Sequence, residues 1–226
     1  MEQLLALWHT LFAPASAAVG QGAQALDMPA LLALAAALGW ASGLRLYAVL
    51  FVVGLAGHLG WIPLPQGLHL LQHPAMLAAS GAMLFVEFFA DKIPGLDTLW
   101  DVLHTFIRIP GGAALAAGVF GADNTTMAAV AALLGGSLAA TALAGKATTR
   151  AAVNTSPEPF SNVAVSLLED GLVLGALWLA VQHPVWFAVA LAVTLVLTAL
   201  LLLVLFKFLR TIGRRLATWF KPSPAF

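Results

Sequence analysis

The 226-residue chain has no cysteine. That excludes structural disulfides, zinc–thiolate centres and thiol nucleophiles. Charge is almost as scarce: Asp, Glu, Lys and Arg make up 9% of the residues, against about 25% in soluble domains. Ten basic and ten acidic side chains cancel to a net charge of zero, so no basic surface marks nucleic acid as a partner. What remains is apolar, at 61% with a mean hydropathy of +0.95. Such a chain cannot cover itself with polar surface. It reads as an all-α, polytopic membrane protein whose first partner is the lipid bilayer.

A spanning helix needs about 20 mainly apolar residues. Six segments meet or approach that requirement. The first, 29–59, is overlong, is expected to break near Ser42-Gly43, and carries Arg45. The second covers 75–90. The third, 111–121, is short and borrows from what precedes it. The fourth covers 126–146, the fifth 161–182 and the last 184–206. Residues 1–27 read as an interfacial helix and linker, with Leu4, Leu5, Trp8 and Phe12 on one face. The segment "LLALWHTLFAPASAA" also has the small residues of a signal-cleavage region, but Glu2 stands where a basic start is expected. Residues 28–206 form one transmembrane domain, with halves at 28–121 and 122–206. Residues 207–226 are a basic amphipathic tail suited to anionic lipids.

The positive-inside rule orients this scheme. Lys207, Arg210, Arg214, Arg215 and Lys221 follow the last span, which puts the C-terminus in the cytoplasm. Six crossings then put the N-terminus there too, in a cell inner membrane. Every basic residue falls on the cytoplasmic side except Arg45. Three plus three spans permit an inverted repeat. "GWASG" at 39–43 beside Arg45 echoes "GLVLG" at 171–175 beside Asp170, and both small-xxx-small patterns allow close helix approach. The composition is also compatible with a homo-oligomer.

Carboxylates at membrane depth are expensive and point to function. At 1.5 Å per residue, Glu87 and Glu169 fall at nearly the same depth, about 12–18 Å inside their spans. Arg45 reaches a similar level, so Arg45, Glu87, Glu169 and Asp170 can share one buried ion or proton site, with Asp91 on the face of Glu87. The competing reading is an Arg–carboxylate bridge that fixes helix register. Beyond Pro94-Gly95, the residues Asp97, Asp101, His104 and Arg108 form one polar stripe, with Leu96, Leu99, Trp100, Leu103, Phe106 and Ile107 opposite. With Lys92, this stripe reads as a cytoplasmic mouth, either an interfacial helix with a solvated acidic face or a stripe folded back toward Glu87 that lines a polar entrance. Glu87, Asp91 and Glu169 offer oxygen ligands for a hard divalent cation, and no other cofactor is implied. "KATTRAAVNTSPEPFSN" at 146–162 reads as a solvated loop, or as irregular backbone lining a cavity, with Ser161-Asn162 capping the fifth helix.

Three segments carry a resemblance to a known family: "ASGLRLYAVLFVVGLAGHLG" (41–60), "VEFFADKIPGLDTLWD" (86–101) and "RIPGGAALAAG" (108–118). In this order they resemble the bacterial and plant domain-of-unknown-function family 4126, over roughly residues 30–200. The resemblance implies a small polytopic membrane protein with a recurring acidic motif. More loosely, the chain is similar to Golgi-type manganese/calcium–proton exchangers, which have two inverted halves with a Glu-x-Gly-Asp-Lys motif. Here Glu87 to Lys92 is one residue longer and lacks the Gly, and Glu169-Asp170-Gly171 lacks the Lys.

These readings lead to an expected function: a transporter or channel-like protein moving a small ion or solute, namely a proton-coupled and divalent cation. Glu87 and Glu169 would bind, and Arg45 would act as counter-charge or gate. Two other classes compete. One is a membrane enzyme using Asp97, Asp101 and His104 with Mg²⁺ on a lipid-linked phosphate. The other is a non-catalytic assembly protein whose Arg45 is bridged and dry.

Overall fold

The computed structural model of the protein describes residues 26–93, 96–153 and 159–219. The expected N-terminal interfacial helix (residues 1–25), the expected break at Pro94-Gly95, and residues 154–158 and 220–226 lie outside the described residues. Among those described, the chain is helical, with no strand. The helices are α1 (Met28–His58), α2 (Pro74–Ala90), α3 (Leu96–Phe120), α4 (Thr125–Val153), α5 (Pro159–Gln182) and α6 (Pro184–Trp219); a short 3₁₀ helix (Gln66–Gln72) precedes α2. Five of them are long and apolar enough to cross a membrane, or six if the bent pair Gln66–Gln72 and Pro74–Ala90 counts as one span.

Local sequence sets the boundaries. Asp27 caps α1 by accepting from the Ala30 N–H at 3.0 Å, with Pro29 in the first turn. The His73 ring accepts from the Ala75 N–H at 3.2 Å ahead of Pro74. Asn124 caps α4 by accepting from Met127 at 3.0 Å. Gly60 and Gly121 have positive φ (69° and 60°) just past the ends of α1 and α3, where a helix C-terminus favours glycine.

The first helix departs most from expectation. Its backbone is helical through Ser42 and Gly43 and breaks instead at Arg45 (φ −148°, ψ 84°). The break is a fold. Leu34 and Val53 line the same cavity, although 19 residues of straight helix would separate them by about 28 Å. At the open end, Leu64 meets the Gly57 position and also lines a cavity with Leu31. The segments 28–44 and 46–58 therefore lie back to back as a hairpin, with Arg45 at its tip. Met28 and His58 share one end of the molecule. Lys207, 23 residues down α6 from Pro184, lies at the other end, about 35 Å away. The described chain thus begins opposite the basic tail, not beside it as six simple crossings required.

Other boundaries shift as well. α3 is one helix from Leu96 through Pro110 to Phe120, not an interfacial helix followed by a short span. Proline inside a membrane helix is tolerated where neighbouring groups satisfy the freed backbone. α4 runs past Lys146 to Val153 and α5 begins at Pro159, so 12 of the 17 residues of the expected 146–162 loop are helical. α6 continues unbroken through Trp219, so the tail does not turn away at 207. The structure does not show the inverted repeat: α1 folds at its middle, while α4 runs unbroken.

The core joins α1, α3 and α4 through glycine. A Cβ on Gly39 would lie 2.5 Å from the Gly135 Cα, and one on Gly43 would collide with the Ala139 backbone. Gly112 faces the Gly39 carbonyl and the Ala139 side chain. These three helices approach backbone to backbone, the geometry that small residues permit in a membrane, where packing replaces the hydrophobic effect between helices. α5 and α2 lean on the α1 hairpin, and α6 lies outermost with its apolar surface exposed.

Candidate functional site

The chain's scarce charge converges at the tip of the α1 hairpin. Arg45 is wholly buried. It pairs with Asp91 at 3.0 Å, with Asp170 at 2.8 Å and with Glu169 at 3.7 Å, and it donates to the Ser166 hydroxyl at 2.8 Å and carbonyl at 3.1 Å. Arg108 holds Glu87 at 2.6 Å and Asp101 at 2.5 Å. Lys146 contacts Asp101 at 3.1 Å, Asp91 at 3.2 Å and Glu169 at 3.4 Å. Arg150 grips Glu169 with two donors, at 2.9 and 3.2 Å. It also donates to the Asn162 side chain at 2.5 Å and the Asp91 carbonyl at 2.8 Å, and it approaches Asp97 at 3.6 Å.

The centre of the network has a simple geometry. One oxygen of Asp91 and one of Glu169 each face the same three cations, Arg45, Lys146 and Arg150, at 2.9–3.8 Å. The far oxygen of Asp91 has no hydrogen-bond partner within the protein, and neither do the far oxygens of Glu87 and Asp101. Lys146 also donates to the Leu44 carbonyl at 3.2 Å, a group at the break in α1. A cation at a helix C-terminus complements the negative end of the helix dipole.

The network is enclosed by apolar surface. At the same level, the outward side of α3 carries Leu99, Leu103 and Phe106, the last 82% exposed. The stripe of Asp97, Asp101, His104 and Arg108 is buried. Of the two readings of the stripe, the solvated acidic face is overturned: the stripe turns inward, where Arg108 pairs with Glu87, and the apolar face is exposed. A solvated acidic face would require water on the side where Phe106 stands.

The sequence-predicted residues are distributed as follows. Arg45 does share a site with Glu169 and Asp170, and Asp91 belongs at its centre. Glu87 answers Arg108 instead of Arg45. Lys92 stands at the edge, donating to the Phe88 carbonyl at 3.0 Å with its ammonium over the Phe88 ring. His104 stacks on Trp100 (ring centroids 4.0 Å apart), meets Tyr47 edge-on, and donates Nδ1–H to the Trp100 carbonyl at 2.8 Å. Among the described residues, no group of three His, Asp or Glu side chains is placed to hold a metal. Glu87, Asp91 and Glu169 thus do not form the expected metal cage, because guanidinium and ammonium groups occupy the space between these carboxylates.

Sequence reasoning missed Lys146, Arg150, Asn162 and Ser166. Lys146 and Arg150 read as loop charges because the apolar run of the fourth span ends before them. Their four-residue spacing on a continuing helix was the available signal, since i and i+4 share a face. Asn162 serves as the partner of Arg150, not as a helix cap, because α5 begins earlier at Pro159.

Helices of bilayer length closed around buried ion pairs define a polytopic integral membrane protein. The chain belongs to the domain-of-unknown-function family DUF4126, whose model matches residues 32–204. No curated protein and no solved structure matches it. The comparisons give no support to the likeness with Golgi-type exchangers.

Proposed function

We propose that this protein is a membrane transporter whose ion-pair network handles protons and couples their movement to that of a small ion or solute. The observation that carries this reading is the folded α1. A helix broken at membrane depth, with its tip among buried charges, is how discontinuous membrane helices build sites inside a bilayer. Two further features agree. Glu87, Asp91 and Asp101 each have one oxygen held by a cation and one without a protein partner, where a proton can sit. Six carboxylates (Glu87, Asp91, Asp97, Asp101, Glu169 and Asp170) face five cations (Arg45, Lys92, Arg108, Lys146 and Arg150). One carboxylate in excess, out of water, lowers its energy by holding one proton.

The three cations bridging Asp91 and Glu169 weigh against a divalent metal at that point, since a metal would have to displace them. Asp97 and Asp101 are engaged by Arg150, Arg108 and Lys146, which weighs against an Mg²⁺-dependent lipid-phosphate enzyme. In this reading the basic end faces the cytoplasm across a cell inner membrane. The α1 fold brings Arg45 to that same end and removes the one exception to the positive-inside rule. Asp27 then emerges on the opposite side.

The test is proton flux in acid-loaded proteoliposomes with a pH-sensitive dye, challenged with a panel of monovalent and divalent cations and small anions. At least one solute should drive proton movement in the wild type, and Glu87→Gln and Asp91→Asn should abolish it. No solute-dependent flux in folded wild-type protein, or full flux in both variants, would sink the proposal. Because the chain has no cysteine, single cysteines at Gly60 and Lys207 report sidedness cleanly; labelling of both from one side overturns the orientation.

A further inference from the structure

A cavity of about 490 Å³ lies between α2 and α5, with the second limb of the α1 hairpin as its floor. Ala48 and Val52 line it from α1, Gly81 and Phe88 from α2, and Asp170 and Val173 from α5. Its volume falls in the range of sites for small organic molecules, about 300–1,000 Å³. Phe85, Phe89 and Leu174 also line it and are 66%, 50% and 49% exposed, so it opens on the outer surface of the bundle. α5 is long and apolar enough to span a membrane, and that surface meets lipid.

Among the described residues that line this cavity, Asp170 alone has a polar side chain. Its pair with Arg45 uses one carboxylate oxygen. The Asp170 side chain is 25% exposed, whereas the other five carboxylates of the network are 0–8% exposed. Asp170 is thus the network's most accessible carboxylate, and it faces an apolar chamber. Glu169 also lines a cavity, but there Lys146 stands beside it. The charged groups acting on Asp170 are Arg45 from α1, Lys92 beyond the end of α2, Asp91, and Glu169 from α5. With Asp170 itself, this group is one positive charge short, as is the network as a whole.

The walls select the kind of cation. A hard metal cation needs about six oxygen ligands, and this lining supplies one carboxylate. Phenyl rings make up much of the rest. Phe85 and Phe89 have ring centroids 4.8 Å apart, and Phe88 meets Phe89 edge-on at 5.5 Å. The Phe88 ring already carries the Lys92 ammonium, so this wall accepts positive charge. Aromatic faces bind organic ammonium groups, and more strongly away from water. We propose that this cavity binds one hydrophobic organic monocation arriving from the lipid, with its charge at Asp170 and its apolar groups against Phe85, Phe88 and Phe89. The bound cation supplies the positive charge that a proton otherwise supplies, so the two compete. The binding site stands apart from transport; that this cation is the solute coupled to protons rests on the transport reading.

The experiment measures binding of radiolabelled tetraphenylphosphonium to full-length protein in detergent by equilibrium dialysis. Wild type should bind it saturably. Unlabelled tetraphenylphosphonium should displace the label, and tetraphenylsilane, neutral and of the same shape, should not. Asp170→Asn should weaken binding about thirtyfold or more. Phe85→Ala/Phe89→Ala, which truncates two exposed side chains, should weaken it about threefold to tenfold. In weakly buffered solution, binding should release protons to a pH-sensitive dye. No saturable binding to wild type overturns the site. So does equal displacement by the silane, the result expected of a cavity that holds only lipid. Unchanged affinity in the Phe85/Phe89 variant overturns it too, whether or not Asp170→Asn folds. Binding without proton release keeps the site and overturns the competition. No cation binding, with another solute driving proton flux in proteoliposomes, overturns the site and leaves the transport reading standing.

Discussion

Gly39-Trp40-Ala41-Ser42-Gly43 and Gly171-Leu172-Val173-Leu174-Gly175 are the same small-xxx-small pattern, each placed beside a network charge. They do opposite things. The first pair presses α1 onto α4 until any Cβ would enter backbone. The second pair faces open space on α5. The α1–α3–α4 side is therefore held by backbone contact that no side chain can adjust. The α5 side is held to α4 mainly by Arg150 and to α1 by apolar packing and Arg45. The sequence pattern alone does not distinguish a glycine used for contact from one used for room.

Four substitutions break or sharpen this contrast. Arg150→Ala should have the largest effect. It strands Glu169 among fewer cations and removes the tie to Asn162, so it should cost about 3–5 kcal/mol, read as thermal unfolding of the purified protein; a change below 1 kcal/mol would mean that α5 is held by packing alone. Gly43→Leu comes next, at about 1–3 kcal/mol or more from forced separation of α1 and α4. An unchanged melting temperature there contradicts the close approach. Gly171→Ala should go the other way, stabilising by up to about 1 kcal/mol, because alanine favours helix and meets nothing. The finest contrast is within one guanidinium. Asp91 is wholly buried and Asp170 is 25% exposed, so a double-mutant cycle should give Arg45 a larger coupling to Asp91 than to Asp170. The reverse order would place water at Asp91.

Much of the architecture was legible in composition and periodicity. Apolar content and hydropathy gave an all-helical membrane protein, and the acidic residues of 87–101 stood out as a group that the structure places in the buried ion-pair network. The depth estimate rightly brought Arg45 to Glu169 and Asp170. What failed did so for physical reasons. A polar stripe has no sign: the spacing of Asp97, Asp101, His104 and Arg108 fits a face turned to water or a face turned to a buried network. Only the partners on other helices decide between them. The fold of α1 left little local trace, because no proline marks it. Its cause is tertiary, in that Arg45 finds three carboxylates and Leu44 finds Lys146 at that point. Pro110 gave the opposite error, since a helix breaker in isolation is absorbed where packing supplies the missing interactions.

The hairpin tip also constrains the order in which the protein can be made. Arg45 leaves the ribosome well before its partners. Ser166 lies 121 residues later in the chain, and Lys146 follows its contact Leu44 by 102. At an elongation rate of about 5–20 residues per second, Arg45 waits several seconds or longer for α5. During that interval Asp91 is the one of its three carboxylate partners already translated. The early chain is best held with the tip of α1 near the lipid–water boundary, drawn to final depth as α4 and α5 arrive. Membrane insertion of α1 is then completed by helices translated after it.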